Sequence, residues 1–204
     1  MTVTPDYNYH RSGAAHTHGY LMPVVERVLE LIGQGKTIFE LGCGNGSNAA
    51  YLTSKGFSIV GVDPSESGIA IAQANFPECR LELGSTDDDL GERYGQFDVV
   101  LSLEVIEHVY SPKRYVEVVR SLLKPGGCAI ISTPYHSYLK NLTLAVTGKM
   151  DDHFTALWEG GHIKFWSPNT LTSLFENAGF KRTAFYRVGR VPSLAKSMIL
   201  VFSK

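Results

Sequence analysis

The chain has 204 residues, 44% of them hydrophobic and 19% charged, a composition that suits one well-buried soluble domain over residues 1–204. A formal net charge of -1 offers nucleic acid or an anionic membrane surface no electrostatic attraction, and no apolar run reaches the length of a membrane span. Cys43, Cys79 and Cys128 form no C-x-x-C pair and Met1–Arg11 lacks an apolar signal core, so reduced thiols and a cytoplasmic location are expected, without a disulfide frame or zinc site.

Residues 1–19 carry Tyr7, Tyr9, His10, Arg11, His16 and His18, which fit either a cover over a ligand or a frayed tail. The stripe Val24, Val25, Val28, Leu29 and Ile32 predicts a helix over Tyr20–Ile32. A strand at Thr37–Leu41 follows, then a helix from Ser47 to Lys55 and a second strand at Ser58–Asp63. Ser65 is the expected N-cap of the next helix, ahead of Ile69, Ala70, Ala72 and Gln73. Strands are expected at Arg80–Leu83 and Phe97–Ser102, the latter unbroken apolar after Asp98 and so buried on both faces. A helix over Pro112–Leu123, a turn at Lys124–Gly127 and a strand at Cys128–Ser132 continue the alternation expected of a parallel sheet with crossover helices. The rhythm breaks over residues 133–166, where His, Tyr and Trp surround one short helical piece near Leu139–Val146; such an excursion usually forms a lid or binding loop. A helix from Pro168 to Phe175 and two strands, Phe180–Val188 and Ser197–Phe202, which could pair as an antiparallel hairpin, complete the chain.

The loop between the first strand and its helix, Glu40-Leu41-Gly42-Cys43-Gly44-Asn45-Gly46-Ser47, is the most informative stretch. Glycine lets a backbone turn and approach a ligand closely. Asp63, ending the next strand, can accept the hydroxyls of a ribose. A dinucleotide site wants G-x-G-x-x-G, yet Ser47 stands where the third glycine would be, and Glu40 would repel a pyrophosphate while attracting an ammonium. A ligand with a ribose, an amino-acid tail and no phosphate satisfies both facts, and S-adenosylmethionine is such a ligand.

At these residues the chain resembles the class I S-adenosylmethionine-dependent methyltransferases, whose first motif is acid-x-Gly-x-Gly-x-Gly. Phe97–Val109 (FDVVLSLEVIEHV) resembles the fourth motif of that superfamily, and its LExxEHV ending is typical of the branch related to ubiquinone-biosynthesis O-methyltransferases. Leu123–Gly127 (LKPGG), Gly161–Pro168 with Leu171, and Asn177–Phe180 resemble further signatures of the same branch. The resemblance runs from about Tyr20 to the C-terminus and is far more specific for cofactor than for substrate. It implies an α/β, Rossmann-like, seven-stranded and mostly parallel sheet with its last strand antiparallel and helices on both faces.

By the same resemblance Gly42, Gly44 and Gly46 lie along the methionine part of the cofactor, Glu40 holds its ammonium, Asp63 its ribose, and Leu103 lies against it. Tyr9 or Arg11 would cover it. Where the family usually reads Gly-Asp-Ala-Glu for adenine, this chain reads Gly84-Ser85-Thr86-Asp87-Asp88-Asp89, so the contact falls to the Asp87 side chain or the Thr86 and Asp87 backbone, unless these acids are only a solvated turn. Glu104, Glu107 and His108 sit where open α/β sheets place ligands; on one helical turn, Glu104 would share a face with both others. Three readings stand: His108 as general base with Glu104 beside it, the trio as ligands of a divalent cation, or hydrogen bonds bracing the loop. The first is adopted, with no metal assigned. His136, just after the fifth strand, is the other catalytic candidate, while Tyr135, Tyr138, His153, Trp158 and His162 suit a pocket mouth, His162 more as a brace.

The expected partner is a small-molecule acceptor methylated on oxygen, a homodimer being compatible with the sequence. N- or C-methylation, a nicotinamide oxidoreductase and a non-catalytic cofactor-binding protein are the alternatives. Nucleic-acid methylation is disfavoured, because Ser102-Leu103-Glu104-Val105 replaces the Pro-Pro-aromatic tetrad of base-amino enzymes and no cysteine follows a proline.

Overall fold

Alternate residues of the central strands face two different helical layers, and this alternation organises the molecule. The computed structural model describes residues 9–154, 156–158 and 160–204; Tyr7 lies outside the described residues. The strands are β1 (Thr37–Leu41), β2 (Ser58–Asp63), β3 (Arg80–Leu83), β4 (Phe97–Leu103), β5 (Leu123–Pro134), β6 (Lys181–Val188) and β7 (Ser197–Ser203). They form one sheet in the order β3-β2-β1-β4-β5-β7-β6. All neighbours pair in parallel except β7, which runs antiparallel to both β5 and β6. The expected seven-stranded sheet and final antiparallel strand are both present.

Eight helices appear among the described residues: α1 (His18–Ile32), α2 (Ser47–Ser54), α3 (Glu66–Asn75), α4 (Leu90–Tyr94), α5 (Pro112–Leu122), α6 (Tyr138–Val146), α7 (Met150–Phe154) and α8 (Pro168–Glu176). Ile38, Val99, Leu101, Ile130 and Ile199 pack with α1, α2 and α3 on one face. Phe39, Val100, Ala129, Ile131 and Leu200 pack with α4, α5 and α8 on the other. A strand with both faces covered must be apolar at every position, which is why β4 reads as a continuous hydrophobic run.

Two local expectations need correction, and one helix is additional: α4 (Leu90–Tyr94) carries too few apolar residues to show a periodic stripe in sequence. β5 begins at Leu123 rather than Cys128, because Lys124–Gly127 bulges out of the strand. The register steps from Phe97↔Leu123 to Val99↔Cys128, with Gly126 at φ 75° turning the excess chain back. The excursion starts after Pro134 and holds two short helices, α6 and α7, where one was expected. Ser65 caps α3 as expected, its hydroxyl accepting from the Gly68 N–H at 3.1 Å. Among the described residues no helix is long and apolar enough to cross a membrane.

Candidate active site

The sheet order places β1 between β2 and β4, so the crossovers leave β1 on opposite sides and open a crevice above the carboxyl ends of these strands. The glycine loop fills its floor. Gly42 and Cys43 donate N–H bonds to Val62 O at 2.8 and 3.0 Å, pinning the loop to β2. Gly44 N–H donates to Asp63 Oδ2 at 2.8 Å, and Ser65 N–H to Asp63 Oδ1 at 2.9 Å. Gly42, Gly44 and Gly46 all have positive φ, at 86°, 53° and 78°. Their surroundings differ. A Cβ on Gly42 would meet the Val105 side chain at 2.3 Å, and one on Gly46 would meet Leu81 at 2.6 Å, so both permit close packing within the protein. A Cβ on Gly44 would instead meet the Tyr9 hydroxyl at 2.4 Å.

Tyr9 belongs to a strap laid across the crevice. Its N–H donates to Ser67 Oγ at 3.1 Å, and its ring also packs on Gly68. Asn45 Nδ2 donates to the carbonyls of Arg11 at 2.8 Å and Gly13 at 3.0 Å, and His18 Nδ1 lies 2.9 Å from Asn48 Oδ1. The described part of the N-terminal segment therefore covers the loop, with Tyr9 over Gly44 and Arg11 holding the strap through its backbone.

Glu40 is 1% exposed, and among the described residues its carboxyl meets the Asn48 amide but no cation. Burial pushes its carboxyl up to about 8; the Asn48 amide offsets part of this rise and Asp63 adds to it. A buried carboxylate without a counter-charge is costly, and a bound cation would relieve that cost. Beside the tips of β2 and β3 lies an open depression of about 310 Å³ lined by Pro64, Glu66, Leu83, Gly84, Ser85 and Asp88. Asp88 Oδ2 accepts from Ser85 N–H at 2.7 Å and so serves the local turn, while Asp89 Oδ1 accepts from Arg114 of α5 at 2.6 Å, an ion pair between elements. Thr86 is half-buried and Asp87 exposed, next to this depression rather than lining it.

At the tip of β4 Leu103 is buried and Glu104 turns into the left-handed region at φ 56°. Only Ile106–His108 forms a helical turn, so the shared helical face expected for Glu104, Glu107 and His108 does not exist. Glu104 instead faces the sheet: Ser132 Oγ donates to its Oε1 at 2.8 Å and Ser197 Oγ to its Oε2 at 3.0 Å. Its own N–H donates to the Ser132 hydroxyl and carbonyl, which hold the strained backbone in place. Having given its proton to Glu104, Ser197 accepts the Tyr20 hydroxyl at 3.4 Å.

Glu107 is 1% exposed; the Thr133 hydroxyl donates to its carboxylate, and no cation of the described residues pairs with it. Burial, then the neighbouring Glu104, hold the Glu107 carboxyl well above the usual range. Burial also raises Glu104, while its two serine donors pull it back.

The excursion brings its imidazoles to this tip. The His108 and His162 rings lie 4.9 Å apart, and His108 Nδ1 is 3.3 Å from Gly161 O. His136 packs against His153 at 5.7 Å, Phe165 at 5.2 Å and Phe154 at 6.1 Å, while Trp158 stands edge-on to His108 at 6.4 Å. Burial lowers His108 below its ordinary value and pushes His136 and His162 down to about 4, so all three are neutral near pH 7. Donor atoms of Glu107, His108 and His162 lie within 4.8 Å of one another, a set that could hold a metal ion and that replaces Glu104 by His162 in the trio expected from sequence. Tyr20, Ser132, Thr133, Lys140, Asn141 and Ser197 complete the surroundings. Sequence reading missed them because each is an ordinary residue in its own element and gains meaning only from its neighbours.

A family model described as a methyltransferase domain matches residues 14–184. A ubiquinone biosynthesis O-methyltransferase of Dinoroseobacter shibae is 34% identical over 155 residues, covering 72% of this chain and 61% of the relative. One of Caulobacter vibrioides is 37% identical over 119 residues, covering 56% and 47%. The chain thus spans about three fifths of the length of the relative from Dinoroseobacter and less of the other. Among solved structures, magnesium protoporphyrin IX methyltransferase of Synechocystis with bound SAH superposes with a TM-score of 0.65 at 20% identity, covering 89% of this chain and 80% of that one. A methyltransferase of Methanosarcina mazei gives 0.67 at 19% identity, covering 90% and 98%. At such identities these two likenesses concern the fold.

Proposed function

The chain belongs to the S-adenosylmethionine-dependent methyltransferases, and from that premise we propose that it methylates an oxygen of a small-molecule acceptor, with His108 as the general base. The observation that carries this reading is the His108 tautomer. A carbonyl can only accept, so Nδ1 donates its proton to Gly161 O and Nε2 is left as the basic nitrogen at the tip of β4. Burial, by lowering the imidazole, keeps that nitrogen available at neutral pH.

Residues 1–204 are read as one domain, with residues 1–19 covering the cofactor and 133–166 supplying the acceptor side. Glu40, Gly42, Gly44, Gly46, Asp63, Leu103 and Tyr9 would hold the cofactor, and Thr86 or Asp87 its adenine. The buried carboxylate of Glu40, met by the Asn48 amide but by no cation among the described residues, suits an ammonium, and the Tyr9 ring lying over Gly44 would move to admit the ligand. When bound, S-adenosylmethionine supplies a methyl group already activated by its sulfonium. The chain then has to align the acceptor, an effect able to contribute about 7–11 kcal/mol, and to remove its proton. His108 Nε2 would take the hydroxyl proton as the oxygen–carbon bond forms and the methyl–sulfur bond breaks, with His136 orienting the acceptor. Glu104, whose two oxygens accept from Ser132 and Ser197, is not free to orient it and braces the strand tips instead. Oxygen is favoured over nitrogen or carbon by the relatives' printed name and by the presence of a neutral base. A pyrophosphate-bearing nicotinamide is disfavoured by the buried acid under the loop.

The test follows labelled methyl transfer to a panel of hydroxylated metabolites, with S-adenosylhomocysteine affinity measured separately. Transfer to a hydroxyl that falls about 10²–10⁴-fold in His108→Ala, with cofactor affinity unchanged, is expected. Transfer only to amines or carbon, or a fully active variant, would overturn the reading.

A second reading has one observation in its favour. Glu107, His108 and His162 converge, and the buried Glu107 carboxylate has no cationic partner among the described residues, so the trio would suit a divalent cation that acidifies the acceptor hydroxyl. Activity that chelators abolish and a divalent salt restores would select it over the metal-free base.

A further inference from the structure

We propose that Lys140 is the specificity-determining residue of the acceptor pocket, its ammonium anchoring a carboxylate or phosphate carried by a hydroxyl-bearing acceptor. The proposal rests on the methyl-transfer reading of the same site and adds the chemical class of the acceptor.

Lys140 lies in the first turn of α6, immediately after β5 delivers the chain to the site. The turn is fixed at both ends. The Ser137 hydroxyl accepts from Lys140 N–H at 3.0 Å and donates to Ser193 O at 3.0 Å, tying α6 to the segment before β7. The ammonium itself is half-buried and donates once, to Tyr135 O at 3.1 Å; no carboxylate of the described residues comes within ion-pair distance of it. It nevertheless faces the site, because its charge acts on Glu104, His136, His153 and His162.

A cation partly withdrawn from water loses hydration, and without an anion nothing returns it. Burial accordingly lowers the Lys140 ammonium below its usual range, and Arg190 close by lowers it further. Glu104 is the one carboxylate acting on it, but both Glu104 oxygens already accept hydroxyl protons from Ser132 and Ser197. An ammonium with no ion-pair partner beside neutral imidazoles makes this mouth attractive to an anion. Next along the helix, the Asn141 amide hydrogen-bonds the His136 ring, placing that imidazole beside the ammonium. The ammonium, together with the Phe154 and Phe165 rings packed on His136, matches a planar organic anion.

Protein saturated with S-adenosylhomocysteine is titrated with benzoate, phenyl phosphate and the neutral benzamide, following the imidazole resonances of His136 and His153. Saturable shifts with at least one anion, about tenfold tighter than benzamide, are expected, and the tighter anion identifies the group. In Lys140→Met that preference disappears while S-adenosylhomocysteine affinity stays, and in Lys140→Arg it returns. Benzamide binding as tightly as both anions, absence of any saturable anion shift, or a preference that survives in Lys140→Met overturns the proposal. Failure to bind S-adenosylhomocysteine would instead count against the methyl-transfer reading.

Discussion

The backbone N–H of Gly44 donates to Asp63 Oδ2 at 2.8 Å, joining the glycine loop after β1 to the acid at the tip of β2. One carboxylate thus holds the loop in shape, and it is also the group proposed to take the ribose. Asp63→Ala should weaken S-adenosylhomocysteine binding by about 10–150-fold, the loss of a charge-assisted pair of hydrogen bonds worth about 1.5–3 kcal/mol. Calorimetric titration reads this directly; an unchanged affinity would mean that the ligand lies elsewhere.

Glu40 makes cofactor binding a proton-linked event. Its folded carboxyl stands at about 8 against an ordinary value of 4.5, so the folded state holds a proton that the unfolded state has lost between those values. Stability of the unliganded protein therefore falls as pH rises through that window, by up to about 1.4 kcal/mol per pH unit. An ammonium beside the carboxylate favours the ionised form, and binding at pH 6–7 should expel close to one proton. Titration in buffers of different ionisation enthalpy measures that release, and Glu40→Gln should abolish it. Heats that do not depend on the buffer in the wild-type protein would contradict this assignment.

Gly44 and Gly46 should fail for different reasons. Gly46→Ala puts a Cβ 2.6 Å from Leu81 and 2.9 Å from Ala72 at φ 78°, so overpacking of about 1–3 kcal/mol should appear as a lower melting temperature. Gly44→Ala is also strained, at φ 53°, but the nearest atoms its Cβ meets belong to the Tyr9 ring, which can move aside with the strap. The melt should fall less than in Gly46→Ala, while S-adenosylhomocysteine affinity drops at least tenfold. Equal melting losses in the two variants would remove the distinction.

Asp98 lies at the opposite end of the sheet from the crevice. Its Oδ2 accepts from Thr37 N–H at 3.0 Å, Thr37 Oγ1 at 2.8 Å and Lys124 Nζ at 3.0 Å. The Thr37 backbone donor and then Lys124 hold its carboxyl well below the usual range. A depressed carboxyl contributes stability that is present above its unfolded value and lost as pH falls below it. Asp98→Asn should cost about 1–3 kcal/mol at pH 7 by chemical denaturation, and the difference from wild type should shrink below about pH 4. A gap that persists in acid would mean that charge is not the cause.

Most of the fold could be read in advance because its signals are local. β1, β2 and β3 start and stop where alternation, flanking glycines and the closing Asp63 place them, and the Ser65 cap needs only its own helix. The errors arose where a signal was too short or non-local. α4 shows no stripe, and the β5 bulge depends on pairing with β4. The Glu104 turn was misread for a related reason: helical spacing was assumed, but the backbone enters the left-handed region because Ser132, on another strand, binds its N–H.

The sequence by itself determined the cofactor side of this protein. A glycine loop, an acid two residues ahead of its first glycine and an acid on the next strand lie within a single βαβ unit, so their geometry follows from short-range folding. Only the tertiary structure decided the acceptor side. Tyr20, Glu104, His108, Lys140, His162 and Ser197 come from separate elements, and the sheet order β4-β5-β7 brings Ser132 and Ser197 to either side of Glu104. Contacts between distant segments depend on how the sheet closes its layers, and no residue spacing along the chain encodes them one at a time.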